Sequence, residues 1–358
     1  MLFNVDVDSG ATVSGWLVLD NPGEVPEFKV IVPDAKEVNF RANVFRRDLY
    51  DLGLHATGMA GFQLDESLIP DLASLPTFAL IESETGLQVY RRFDPERHIE
   101  KKVALIETGA MPQIKLVRGA MMHFSMQYPM LDRYSLETVA SALSHHYAKS
   151  VMATGRINWA RFGGSMQSQD YFTTALLGEP YEDLAERILF LRMIAKRSDS
   201  HFVRSQLSRF EAVMPALLSM DVRDEKSVLT SFRGLTREQR RVLRSPMTAA
   251  FGASPDEEIQ RRNVSIALDN LAQLDVVGTR SRFPEFTGMV GDALGEPIFD
   301  NCELESLPES AAFADLLSRI GLIGDLLDED IALYSFACEA ITSAMGQFGA
   351  NGALGFTN

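Results

Sequence analysis

Cysteine is nearly absent from this chain: 358 residues contain two, Cys302 and Cys338. There is no CxxC pair and no Cys/His cluster with zinc spacing, so neither a disulfide framework nor a metal site is expected. No apolar run approaches the ~18 residues that a bilayer span requires. The first residues, Met1-Leu-Phe-Asn-Val-Asp6, lack the basic and long apolar regions of a signal peptide. The expectation is a cytoplasmic protein with no membrane span. Positive charge is also short: 34 Lys and Arg stand against 49 Asp and Glu, a net charge of -15. That balance opposes nucleic acid and anionic membranes as partners. No GxSxG elbow, Ser/His/Asp motif, intact P-loop, internal repeat or low-complexity run occurs.

What remains is an ordinary globular composition, 46% hydrophobic and 23% charged. The length suits one large domain or two ordinary ones. Arg233, Arg237, Arg240, Arg241 and Arg244 read either as a local basic patch or as a solvated helix face.

Residues 1–95 carry short β-branched and aromatic runs, Thr12–Leu19, Phe28–Val32 and Phe78–Ile81. Turn signals at Asn21-Pro-Gly23, Pro33-Asp34 and Glu84-Thr-Gly86 separate them, which predicts a small antiparallel β-sandwich. A polar link at Phe93-Asp-Pro-Glu-Arg97 closes this region. Residues 100–345 change pattern, with apolar strands at Val103–Ile106, Phe172–Leu177 and Asp275–Gly278. Helices are expected after Ser135 through Tyr147, from Pro180 to about Lys196, and from Pro255 to Leu274 behind a Ser254/Glu257 capping box. The fold class expected is α/β, a sandwich followed by a helix-rich domain with a parallel sheet. Residues 346–358, rich in glycine, read as a flexible tail.

Gly15-Trp16, Ala42-Asn43-x-Phe45-Arg-Arg-Asp48-Leu49, Gly53 and Gly61-Phe62 form a set that resembles the β-sandwich modules attached to bacterial glycosyltransferases and other polysaccharide enzymes. Further on, three ordered segments resemble carbohydrate sulfotransferases. Glu107-Thr108-Gly109-Ala110-Met111-Pro112 stands where that family has Lys-Thr-Gly-Gly-Thr-Ser, the P-loop-like cradle of the donor's 5′-phosphosulfate. The stretch from Ala175 to Glu186 stands where the family binds the donor's 3′-phosphate through an arginine and a serine. Asn270-Leu271 through Gly278 and the Asp328–Tyr334 region resemble its late helix-to-strand motif and last helix.

The substitutions oppose the family's chemistry. Glu107 reverses the charge of a lysine, Pro112 removes a backbone N–H, and Gly178 and Glu186 replace the arginine and the serine. Thr108 and Gly109 are what remains of a cofactor-binding loop. The resemblance therefore implies a pseudoenzyme without a cofactor, a glycan- or protein-binding accessory in surface-polysaccharide biology. Two alternatives stay open. One is an active carbohydrate transferase, using 3′-phosphoadenosine 5′-phosphosulfate at a rearranged site or another donor. The other is a structural subunit of a larger assembly. If chemistry survives, His123, His145 and His146 are the candidate proton-transfer groups. Arg156, Trp159 and Arg161 form a basic-aromatic loop suited to a sugar.

Overall fold

The computed structural model describes residues 1–33, 37–197, 201–300 and 302–353. Contacts group the chain into two compact units. One is Met1–Ala104, Ala120–Thr154 and Ser165–Phe172; the other is Leu105–Gly119, Gly155–Gly164 and Thr173–Asn358.

Two antiparallel four-stranded sheets occupy the start of the first unit. One has the order β1 (Leu2–Asp8), β2 (Val13–Val18), β6 (Met59–Leu64), β5 (Val44–Phe45). The other has the order β4 (Val38–Arg41), β3 (Glu27–Ile31), β7 (Ala79–Glu82), β8 (Gln88–Arg91). Alternation places Phe28, Val30, Phe62, Leu64 and Leu80 inside. Phe28 and Phe62 meet edge to face, with centroids 5.2 Å apart. Gly15 is required by this packing, because a Cβ there would lie 2.4 Å from the Asn4 carbonyl oxygen and 2.6 Å from the Phe62 ring. Trp16 packs beside Val18, Leu49 and Ala60, and the Arg46 guanidinium lies 5.9 Å from its ring. Arg92 grips Asp8 with two bonds of 2.8 Å, pinning the end of β1.

The third sheet is parallel and five-stranded, in the order β10 (Met126–Tyr128), β11 (Val151–Gly155), β9 (Lys102–Glu107), β12 (Tyr171–Leu177), β13 (Val276–Thr279). Three of its strands, β9, β12 and β13, fall where the apolar runs predict, whereas β10 and β11 lie where no strand is expected. The helix Pro180–Ile194 also starts as expected, with Glu179 accepting from the Glu182 N–H at 2.8 Å and proline in the first turn.

Three local expectations are corrected. The helix after Ser135 spans only Leu136–Leu143, so His145 and His146 lie beyond it. The chain leaves the helix because Tyr147 is tied to β1: its hydroxyl accepts from the Asp8 N–H and donates to the Asp8 carbonyl, each at 2.9 Å. The helix expected from Pro255 spans Arg262–Leu271. Glu257 does reach back to the Ser254 N–H, at 3.3 Å, but its other oxygen binds Asn263 and Arg262, closing a turn. Asn263 then accepts from the Gln260 N–H and donates to the Gly252 carbonyl, so the helix begins at that knot, with Arg262 and Asn263 in its first turn. Third, Arg156, Trp159 and Arg161 do not share one loop, since Trp159–Ser168 is a helix. The last helix, Asp328–Ala353, runs through much of the expected tail, and residues 354–358 lie outside the described residues. No described helix is long and apolar enough to cross a membrane.

Candidate functional site

In an open parallel sheet, ligands bind beyond the carboxyl ends of adjacent strands whose outgoing connections diverge. The chain leaves β9 through the helix Ile114–Met121 toward β10 on one side, and leaves β12 through Pro180–Ile194 toward β13 on the other. The divergence falls between β9 and β12. Their ends carry Glu107-Thr108-Gly109 and Gly178-Glu179, so topology and sequence point to one crevice.

The crevice is filled by the protein's own charged groups. Asp183, in the first turn of Pro180–Ile194, accepts from the Thr108 hydroxyl at 3.0 Å and from Arg280 Nη1 at 3.4 Å. Arg280 also holds Glu186 through two bonds of 2.6 and 3.2 Å. Arg187 donates to the Thr108 carbonyl at 3.2 Å. The segment at Glu305 lies over the helix that follows β9. Gln113 donates to the Glu305 carbonyl at 3.1 Å and accepts from its N–H at 2.7 Å, while Arg280 Nη2 donates to the same carbonyl at 3.1 Å. The Glu305 carboxylate accepts from the Lys115 N–H at 3.1 Å, in the positive first turn of Ile114–Met121.

Burial pushes the Asp183 and Glu186 carboxyls above their ordinary range, and Arg280 opposes that shift at both. Asp183, Glu186 and Glu305 bring three carboxyl groups to this cluster, and Arg187 and Arg280 bring guanidiniums. An incoming phosphate would meet carboxylates already seated on the donors it would use.

Thr108, Gly109, Gly178 and Glu186 are thus brought together, with Glu107 buried at the end of β9. Gly178 has a reason to be glycine: a Cβ there would lie 2.1 Å from Asp183 Oδ1. Gly178→Ala should therefore destabilise the protein by about 1–3 kcal/mol through overpacking. In an Asp183→Ala background the same change should cost little, a coupling of about 0.5–3 kcal/mol in a double-mutant cycle by urea unfolding. Equal costs in both backgrounds would show that the carboxylate does not fill that space.

His123, His145 and His146 belong to the first unit, whereas the residues that build this crevice belong to the second. His145 is buried against Phe3, with ring centroids 5.9 Å apart, and burial lowers its pKa to about 4. His146 is exposed, with Nδ1 at 3.1 Å from the Gln169 amide nitrogen, and His123 is half-buried. Trp159 is corrected as a sugar platform: it is 4% exposed and its indole lies against Gly163, where a Cβ would be 2.7 Å from the ring. Arg156 lies 5.9 Å from the Phe210 ring, which also lies 5.7 Å from the Arg187 guanidinium, so Arg156 is brought near the crevice, while Arg161 is exposed. Among the described residues no group of His, Cys, Asp and Glu could hold a metal ion.

Comparison with protein-family models and with curated proteins gives no match for this chain. The crevice therefore has to be read from its own chemistry. Sequence reasoning missed Asp183, Arg280, Gln113 and Glu305. Arg280 had a usable signal, since it follows directly on a parallel strand, at the end where such sheets place their ligand-binding groups. Gln113 and Glu305 had none, because their pairing spans 192 residues.

Proposed function

We propose that this protein is a catalytically degenerate, sulfotransferase-like accessory that binds a glycan or a protein in surface-polysaccharide biology. The observation that carries the reading is the Asp183 carboxylate. It sits on the Thr108 hydroxyl and Arg280, at the strand ends where a phosphate-binding domain would receive its ligand. Glu305 takes the first turn of the following helix in the same manner. A dianionic phosphate would have to displace two carboxylates that already hold the Thr108 hydroxyl, Arg280 and the Lys115 N–H, and would leave Arg280 shared with Glu186. The glycan half of the proposal is supported by the resemblance of both parts of the chain to polysaccharide enzymes.

Calorimetry with 3′-phosphoadenosine 5′-phosphate tests the closed crevice. No binding heat is expected at millimolar nucleotide. Micromolar affinity would overturn the reading and favour an active transferase.

A further inference from the structure

The arginine-rich stretch singled out in the sequence does not form one continuous patch. Arg237 is paired with exposed Glu258 at 2.7 Å, and Arg244 with buried Glu329. Arg233 and Arg240 instead line a cleft of about 400 Å³ with Arg319, Glu225 and Asp325, over apolar walls from Leu229, Ile320 and Leu322. That volume is in the range of small-molecule sites, ~300–1,000 Å³.

The arginines here are not spent on ion pairs in the usual way. Arg319 is neutralised by Asp315, at 2.8 Å. Arg233 and Arg240 have no carboxylate partner among the described residues. Arg240 is held in place: Nη2 donates to the Arg233 carbonyl at 3.1 Å, while Nε is buried with no partner among the described residues. Its helix, Arg237–Leu243, is fixed by a reciprocal cap in which Thr236 and Gln239 exchange bonds of 2.9 and 3.2 Å. Glu225 and Asp325 likewise have no cation within ion-pair distance among the described residues. In a chain of net charge -15, two unpaired guanidiniums and two unpaired carboxylates around an apolar wall describe an unusual ligand. It carries an anionic group for the arginines, several hydroxyl donors for the carboxylates, and a C–H face for the leucine and isoleucine side chains.

We propose that this cleft binds an acidic saccharide, a sugar ring bearing a carboxylate or a sulfate. The choice of a sugar rests on the accessory reading above, but the cleft shares no lining residue with the crevice at Asp183. The test uses the full chain in ligand-observed NMR and calorimetry with D-glucuronate, D-glucose 6-sulfate, D-glucose, sodium sulfate and L-glutamate. Either acidic sugar, or both, should bind in the millimolar range, the two arms separating carboxylate from sulfate recognition. Glucose should bind at least about tenfold more weakly, since it lacks the charge-assisted pair. Arg233→Gln and Arg240→Gln should each weaken the acidic sugar by about tenfold or more. Arg233 is exposed, so its variant tests the site without a folding burden.

The proposal fails if neither acidic sugar binds, if binding is indifferent to Arg233→Gln, or if sulfate alone or glutamate binds as tightly. Failure here with the phosphoadenosine titration still silent removes the saccharide and leaves the closed crevice standing. A positive phosphoadenosine titration removes the closed crevice, whatever glucuronate does.

Discussion

Arg280→Ala should cost about 3–5 kcal/mol of stability, because it leaves two buried carboxylates without their shared cation. Asp183 and Glu186 are both buried, and each is bonded to the Arg280 guanidinium. Arg187 also favours the charged form of Asp183, but it donates to the Thr108 carbonyl, and Arg280 is the guanidinium that bonds both carboxylates. The sign of the pH dependence follows from the carboxyls. Both pKa values are already raised by burial above the ordinary 3.8 and 4.5. A carboxyl raised in the folded state contributes stability that is full at low pH and lost as pH rises through the folded pKa. Removing Arg280 raises both further, so the deficit should be small near pH 4 and largest above neutrality. Urea unfolding at pH 4, 6 and 8, with hydrogen exchange on β12 and β13 as a local probe, measures it. A deficit below about 1 kcal/mol at every pH would mean the cluster is solvated and the crevice open.

The second large effect belongs to Asp330, near the start of the last helix. It accepts from the Met247 N–H at 3.0 Å and the Thr248 N–H at 2.6 Å, supplying the cap that Ser245 does not make for the helix Pro246–Gly252. It is buried, and desolvation raises its pKa to about 6 from 3.8. Between those values the folded chain binds a proton that the unfolded chain releases. Stability from this group is therefore greatest below pH 4 and declines as pH rises through 6, by about 3 kcal/mol in total. Asp330→Asn does not titrate. The stability of the wild type relative to that variant should therefore fall by about 3 kcal/mol between pH 4 and pH 7. A difference that stays flat over this range, in paired urea titrations, would show that Asp330 is hydrated.

Both predictions turn on groups whose importance the sequence did not announce. Arg280 and Asp183 are 97 residues apart, and Asp330 acts on a helix 82 and 83 residues before it. Local pattern carried β9, β12, β13 and the helix at Pro180, though not β10 or β11, because apolar runs and a proline in the first turn act within a few residues. It failed at Tyr147 and at Glu257, where a distant strand and a side-chain knot overrode good helical spacing.

The sequence by itself determined an α/β chain with antiparallel sheets at its start, a later parallel sheet, and a Thr108-Gly109 turn at the end of β9. It also placed Glu107, Gly178 and Glu186 at the ends of β9 and β12 and in the helix that follows β12. Only the tertiary structure decided what surrounds them. Asp183 fills the space a side chain at Gly178 would need, Arg280 neutralises Asp183 and Glu186, and Glu305 covers the first turn of the helix after β9. The physical reason is that desolvated charges must find partners, and in a buried crevice those partners come from wherever the fold brings them, not from neighbours in sequence.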